Sequence, residues 1–467
     1  MARSWAGFLV PLCAAALLVG AAACGGSGPV AAAPAPAPLT LTPGSRHPAP
    51  LLPGDWTTYH HDAARSGTVT GLPQAGPIRR AWSTVLDGAV YAQPLVVRGT
   101  VVAATENDTL YGLSGTDGHI LWQRHIGTPA RLDELPCGNI DPLGITGTPV
   151  YEPTTGLVFA VAELSGGRHV LVGVDPTTGA LLSRREVEPP RGDPRAHQQR
   201  GALAAVDGRV LIAYGGLYGD CGDYIGSVVS VPAEGSGPVR GYTVPTGREG
   251  GIWATGGPVV IGSGGTARIF VSVGNGESST GYDGSDSVLD LTPALTRADW
   301  FAPATWADDN SRDLDLGSMT PAVVGRHLLI VGKRGTGFVL DPTRLGGAGG
   351  QVSQAPVCSA YGTAAVQGSA AFVPCDRALA RVDVGPDGAL RIAWRIPLGA
   401  AGSPAVGGGV VWVVDYASGT LHALDPATGR SLAEAPTGPV PHFAAPVLSG
   451  SRVLLGTGNG VTAFSGA

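Results

Sequence analysis

Residues 403–430 read SPAVGGGVVWVVDYASGTLHALDPATGR, and this stretch decides the fold. It divides into three short strands of an antiparallel meander: SPAV, then VVWVVD, then LHALD. The middle one is a nearly unbroken apolar run, which suits a strand covered on both faces. The joints between them are turn chemistry. Gly407, Gly408 and Gly409 make the first turn, and residues 416–419 make the second. The third is Asp425-Pro426-Ala427-Thr428-Gly429. There proline presets φ, aspartate can bond back to the backbone, and glycine accepts φ > 0. A fourth strand is predicted at residues 431–435. One such sheet cannot bury both faces alone, so it needs neighbours of its own kind.

The same unit can be followed from Gln93 to the C-terminus. Unit one runs from QPLVV at Gln93 to a fourth strand holding Trp122. Unit two starts with GTPVYEPTTGLVFAVAEL at Gly147, unit three with GALAAVDGRVLIAYGG at Gly201, and unit four with GGPVVIGSGGTARIFVSVGNG at Gly256. Unit five is MTPAVVGRHLLIVGKRGTGFVLD from Met319. Unit six is GTAAVQGSAAFVPCDRALARVD from Gly362, with Trp394 in its fourth strand. Unit seven is the opening stretch. The chain then closes on AAPVLSGSRVLLGTGNGVTAFSG from Ala444, which supplies only three strands. The missing fourth is predicted at the other end, where IRRAWSTV at residues 78–85 carries a tryptophan at the fourth-strand position. Pairing the two ends closes a ring and removes the exposed edges a row of sheets would keep. The expectation is therefore an all-β, eight-bladed propeller of four-stranded antiparallel blades over residues 54–467, with seven blades as the alternative.

Composition agrees. Of 467 residues 73 are glycine, without a three-residue period, which argues for many turns and against collagen. The formal net charge is −6 and no basic block stands out, so there is no electrostatic case for nucleic acid. Lys333 is the one lysine, a bias that fits a GC-rich, actinobacterial-style coding sequence.

The N-terminus reads as a targeting segment. Arg3 is followed by an apolar run from Phe8 to Val19, and Ala21-Ala22-Ala23 precede Cys24. Residues 1–23 are thus expected to be a signal peptide. Cys24 stands where a bacterial lipobox cysteine would be lipidated, and ordinary cleavage nearby is the alternative. The Ala/Pro-rich residues 24–53 are expected to tether the domain. The expected location is the outer face of the cell membrane by a lipid anchor, or else secretion.

The repeats resemble the pyrroloquinoline-quinone (PQQ) type of β-propeller, in which ALD-x-x-TG and a tryptophan recur. Gly-x-Leu-x-Ala-Leu-Asp-Pro-x-Thr-Gly is close to literal in unit seven, and WTTYHHDAARSG at residues 56–67 resembles that family's entry segment. The family holds quinoprotein alcohol dehydrogenases. It also holds lipoproteins that resemble the scaffold subunit of the outer-membrane β-barrel assembly machinery.

In a four-stranded meander, the loops between blades and those after each second strand open on one face. The long polar stretches all fall there, so that face is expected to be the working one. Cys137, Cys221, Cys358 and Cys375 fall there too. Three pairings are open to them; Cys137–Cys221 and Cys358–Cys375 are preferred, as structural staples.

The resemblance to quinoprotein dehydrogenases implies a site on the axis of this face. Glu163, Asn275 and Asp313 would be the Ca2+ ligands. Asp313 would also be the catalytic base, with Asp315 two residues on. Thr146, Thr148, Trp253 and either Lys333 or Arg334 would bind PQQ. The same residues have plain structural readings. Asn275-Gly276 makes an ordinary hairpin turn, Glu163 a solvated loop carboxylate, the aspartates turn caps, and Trp253 packing between blades. The adjacent-cysteine disulfide of those enzymes is absent, as is any CxxCH for haem. Three functions are therefore carried forward. One is an envelope binding or scaffold protein, monomeric, working on a partner or ligand through its looped face. The others are a PQQ- and Ca2+-dependent alcohol or sugar dehydrogenase, and a binder of another small molecule or glycan.

Overall fold

The structure is a computed structural model, and it describes residues 39–41 and 48–466. The expected signal peptide, Cys24 and most of the expected tether lie outside the described residues. The rest is an eight-bladed propeller, each blade built on four antiparallel strands in sequence order from the axis outward. In the seventh blade, Ala405–Gly407, Val410–Asp415, Thr420–Leu424 and Ser431–Pro436 are the four strands. The eighth blade takes its three inner strands from the C-terminus and its outermost, Arg79–Val85, from the N-terminus. Val85 pairs with Gly460 and Arg79 with Ser465, so the ring is closed by backbone hydrogen bonds. The lone α-helix among the described residues is Trp306–Ser311.

The repeat has a visible physical basis. In the turn of the seventh blade, Asp425 Oδ1 accepts from the amides of Ala427 at 2.7 Å and Thr428 at 3.0 Å. Gly429 there has φ +72°. A Cβ on it would come within 2.9 Å of the Trp394 ring of the sixth blade. The indole N–H of that tryptophan donates to Pro426 O at 3.0 Å. Trp122 of the first blade repeats this on the second, donating to Pro176 O at 3.0 Å and lying on Gly179. Trp82 of the closing strand lies on Gly118 in the same way. These three fourth-strand tryptophans, Trp82, Trp122 and Trp394, therefore each dock on the turn of the next blade. The one polar atom of each is satisfied by a carbonyl that a side chain on the glycine would block.

Residues 56–67 fill the axis against the innermost strands. Trp56 bridges Val96 of the first blade. Ala63 O accepts from Val260 of the fourth blade at 2.8 Å, and Ser66 O from Val366 of the sixth at 2.7 Å. Arg65 is buried without a carboxylate partner among the described residues. It donates to Thr58 Oγ1 at 2.5 Å, Tyr59 O at 3.1 Å and Leu203 O at 2.9 Å. Of the tether, Leu39 bridges Arg184 and Leu41 packs into the cluster between the second and third blades.

Candidate functional site

The entries to the innermost strands set a ring of side chains around the axis on the looped face. Gln93, Thr148, Thr255, Thr320, Thr363 and Ser403 stand one or a few residues before those strands. Their polar atoms are tied into a network. Thr148 Oγ1 accepts from the Gln93 amide at 2.8 Å, Thr363 donates to Thr320 at 3.0 Å, and Tyr59 from the axial segment meets Thr255 at 3.1 Å. Thr148 is thus spoken for. Thr146 donates to Glu106 Oε2 at 3.0 Å.

Five of the residues singled out in the sequence come together. Asp315, just before the fifth blade, accepts from the Asn275 amide at 2.5 Å and from Lys333 Nζ at 2.5 Å. Lys333 also donates to Asp313 at 2.6 Å, and its Nζ lies 5.8 Å from the Trp253 ring centre. Burial works against charge on Lys333, but Asp315 and Asp313 outweigh it and hold the ammonium above its usual range. Gly274 makes the approach feasible, since a Cβ there would lie 2.6 Å from Asp315 Oδ1 and 3.1 Å from Trp253 Nε1. The two aspartates differ sharply: the Asp315 side chain is 3% exposed and that of Asp313 is 66% exposed. Asp313 sits at φ +53°, turned out to solvent. Arg334 points elsewhere and pairs with Asp308 and Asp309 of the short helix.

Glu163 belongs to a different group. Its Oε2 lies 3.6 Å from His169 Nε2, and the other ring nitrogen meets Glu188 at 2.9 Å. Burial opposes charge on His169, yet the two glutamates hold its imidazole up at about 9. Glu106 and Asp108, which the sequence reading did not single out, are buried nearby. Burial, helped by the charge of Glu163, pushes Glu106 up to about 7, and burial with the charges of Glu106 and Glu163 pushes Asp108 up to about 9. Among the described residues, Glu106 Oε1, Glu163 Oε1 and both Asp108 oxygens have no hydrogen-bond partner.

Fit to Ca2+ is partial. Glu163 offers a buried free oxygen and Asn275 stands beside Asp315, but Asp313 faces solvent and is held by Lys333. Among the described residues no three of His, Cys, Asp or Glu are grouped to hold a metal ion. The ligand set is therefore incomplete in this arrangement, and no chemical step is derived through the ion. The cysteines form Cys137–Cys221 and Cys358–Cys375, the preferred pairing. With sequence separations of 84 and 17, these links stabilise by about 4.6 and about 3 kcal/mol if unfolded-chain entropy is the main term.

Sequence reasoning missed a second cluster at the mouth of the axis. Arg200, at the entry to the third blade, donates Nη2 to His442 O at the entry to the eighth at 3.2 Å. Those blades are not neighbours in a ring of eight, so the side chain spans the axial mouth. Its guanidinium carbon lies 5.8 Å from the Tyr91 ring centre and 5.7 Å from that of Phe443. Tyr361 stacks on Phe443 at 6.1 Å and 12°, and Tyr416 meets His442 and Phe443 at 5.3 and 6.2 Å. The one sequence signal was positional: Tyr91, Tyr361 and Phe443 each stand a few residues before an innermost strand.

The family model described as outer membrane protein assembly factor BamB matches residues 63–280. No curated protein matches the sequence. Among solved structures, quinohemoprotein alcohol dehydrogenase ADHIIG from Pseudomonas putida HK5 is 16% identical with a TM-score of 0.69, covering 89% of this chain and 80% of its own. The quinohemoprotein alcohol dehydrogenase from Comamonas testosteroni is 17% identical with a TM-score of 0.68, covering 88% and 80%. BamB from Moraxella catarrhalis is 15% identical with a TM-score of 0.60, covering 83% and 99%. At these identities the likeness is one of fold. The ALDPATG turns and docked tryptophans already described resemble the PQQ-repeat type of β-propeller, and the likeness of fold agrees with that resemblance.

Proposed function

We propose that this protein is an exported binding propeller, held at the outer face of the cell membrane through Cys24, that recognises a ligand or partner on its looped face without chemistry. The observation that carries this reading is Arg200. It lies across the mouth of the axis, while residues 56–67 fill the axis below it. Recognition is thereby directed to the aromatic and basic surface around the mouth. Tyr, Trp and Arg are the side chains that dominate binding surfaces, because they bury large area and still make directed bonds. In this reading the protein acts as a monomer. No helix among the described residues is long and apolar enough to cross a membrane.

A second reading, a PQQ-dependent dehydrogenase, is favoured by the meeting of Trp253, Lys333, Asp315 and Asn275. Calorimetric titration of the purified chain with PQQ, with and without Ca2+, separates the two. The binding reading expects no Ca2+-dependent heat. Tight, Ca2+-dependent binding that Asn275→Ala abolishes would replace it with the dehydrogenase.

A further inference from the structure

Arg200 lacks what a partly buried arginine normally has. Among the described residues it forms no ion pair, and its one hydrogen bond is to a backbone carbonyl, His442 O. A guanidinium carries five N–H donors in a planar fork. Most of that fork is therefore uncommitted. The acidic group that acts on it is Glu106. That carboxylate is itself engaged, with Oε2 taken by the Gly144 amide at 2.8 Å and the Thr146 hydroxyl at 3.0 Å.

The walls around the fork are aromatic. Tyr91 and Phe443 lie against the guanidinium, Tyr361 stacks behind Phe443, and Tyr416 stands at its edge. Phe443 sits at φ +64°, a left-handed conformation that is strained for a bulky side chain. The chain accepts that strain at the residue whose ring covers the mouth. Strain kept at one half-buried aromatic, beside an arginine without a counter-charge, marks a built surface more than loose packing.

We propose that the mouth of the axis is a binding site for a carboxylate carried on a ring, with Arg200 taking the carboxylate and the rings of Tyr91, Tyr361 and Phe443 packing on the body of the ligand. Two sources share that chemistry: an acidic sugar such as a uronate, and an aromatic acid. The fork supplies paired N–H donors of the geometry a carboxylate accepts. Aromatic faces pack on either kind of ring. The inference rests on the binding reading above and narrows it to a ligand class.

The test is calorimetric titration of the purified chain with glucuronate and with benzoate, each beside a neutral counterpart, methyl glucoside and benzyl alcohol. At least one acid is expected to bind, and its neutral counterpart to bind much more weakly. Arg200→Gln is expected to weaken the acid about tenfold or more, the usual worth of a charge-assisted bond. Phe443→Leu is expected to weaken it less while leaving the preference for the acid intact. Which acid binds tells sugar from aromatic. Equal binding of acid and neutral counterpart would overturn the proposal. So would full affinity in an Arg200→Gln protein, or no heat from either acid. Melting curves for both variants check that the ring stays folded; if Arg200→Gln unfolds, the acid-to-neutral comparison in the unaltered chain decides alone. These failures leave the binding reading standing, since that reading falls only to Ca2+-dependent capture of PQQ.

Discussion

At the scale of single residues, the group with the clearest thermodynamic consequence is the buried acid cluster beside Glu163. Burial holds Asp108 at about 9 and Glu106 at about 7, against roughly 4 for a free carboxyl. A carboxyl raised on folding stabilises fully below its unfolded value, and the contribution is lost as pH climbs through the folded value. His169, held at about 9, works in the same direction, because its extra proton is also lost on going alkaline. The protein should therefore lose stability steadily between about pH 4 and pH 9. Asp108→Asn should flatten that slope, matching the unaltered chain near pH 5 and exceeding it near pH 9. Urea midpoints at the two pH values measure this, and parallel profiles for the two proteins would refute it. Of the site, Trp253, Lys333 and the Asp313–Asp315 pair could be found in the sequence because they sit in motif-bearing loops. Which aspartate is buried could not, since that depends on a φ of +53° at Asp313. Arg200 and Phe443 meet only because the ring closes, and 243 positions of chain separate them (443 − 200). No local pattern records such a contact.

At the scale of the blade, nearly everything was legible. Strand, glycine turn, strand and DPATG turn are each fixed by local chemistry, and local chemistry is what a sequence displays directly. What was hidden is why the tryptophan and the glycine recur together. They belong to adjacent blades and form one contact, Trp394 on Gly429 and Trp122 on Gly179. This separates two costs of substitution. Gly166 has φ +80° and open space where a Cβ would go, while Gly429 has φ +72° with the Trp394 ring within 2.9 Å. Gly166→Ala should lose only the conformational term, about 1 kcal/mol. Gly429→Ala should lose that and a further 1–3 kcal/mol or so, because the indole must shift and give up Pro426 O. Denaturant unfolding of both variants measures the difference. Equal losses would mean that the indole contact between blades contributes nothing.

At the scale of the molecule, the two ends of the chain complete the ring. Arg79–Val85 covers the outer edge of Gly460–Ser465, and residues 56–67 fill the axis. Both pieces were visible in the sequence, one as a tryptophan-bearing strand without a blade and the other as an entry motif. That the entry segment crosses the axis, touching the first, fourth and sixth blades, was not, because no local pattern tells a segment to run along a hole. A chain beginning at Leu86 would lack both. Its eighth blade would keep three strands and show a free row of N–H and C=O groups at Gly460–Ser465, the kind of edge that pairs with another copy. The axis would lose Trp56 and Arg65, and the carbonyl of Leu203 would lose its donor. Such a chain should melt well below the full one and run as dimers or larger species on size exclusion. Adding the peptide 54–85 in trans should restore much of the melting temperature and the monomer, because it returns the same strand and the same axial filling. The disulfides cannot substitute for it, since Cys137–Cys221 and Cys358–Cys375 link neither end of the ring. A monomeric chain from Leu86 with an unchanged melting temperature would show that the eight blades close without their N-terminal strand.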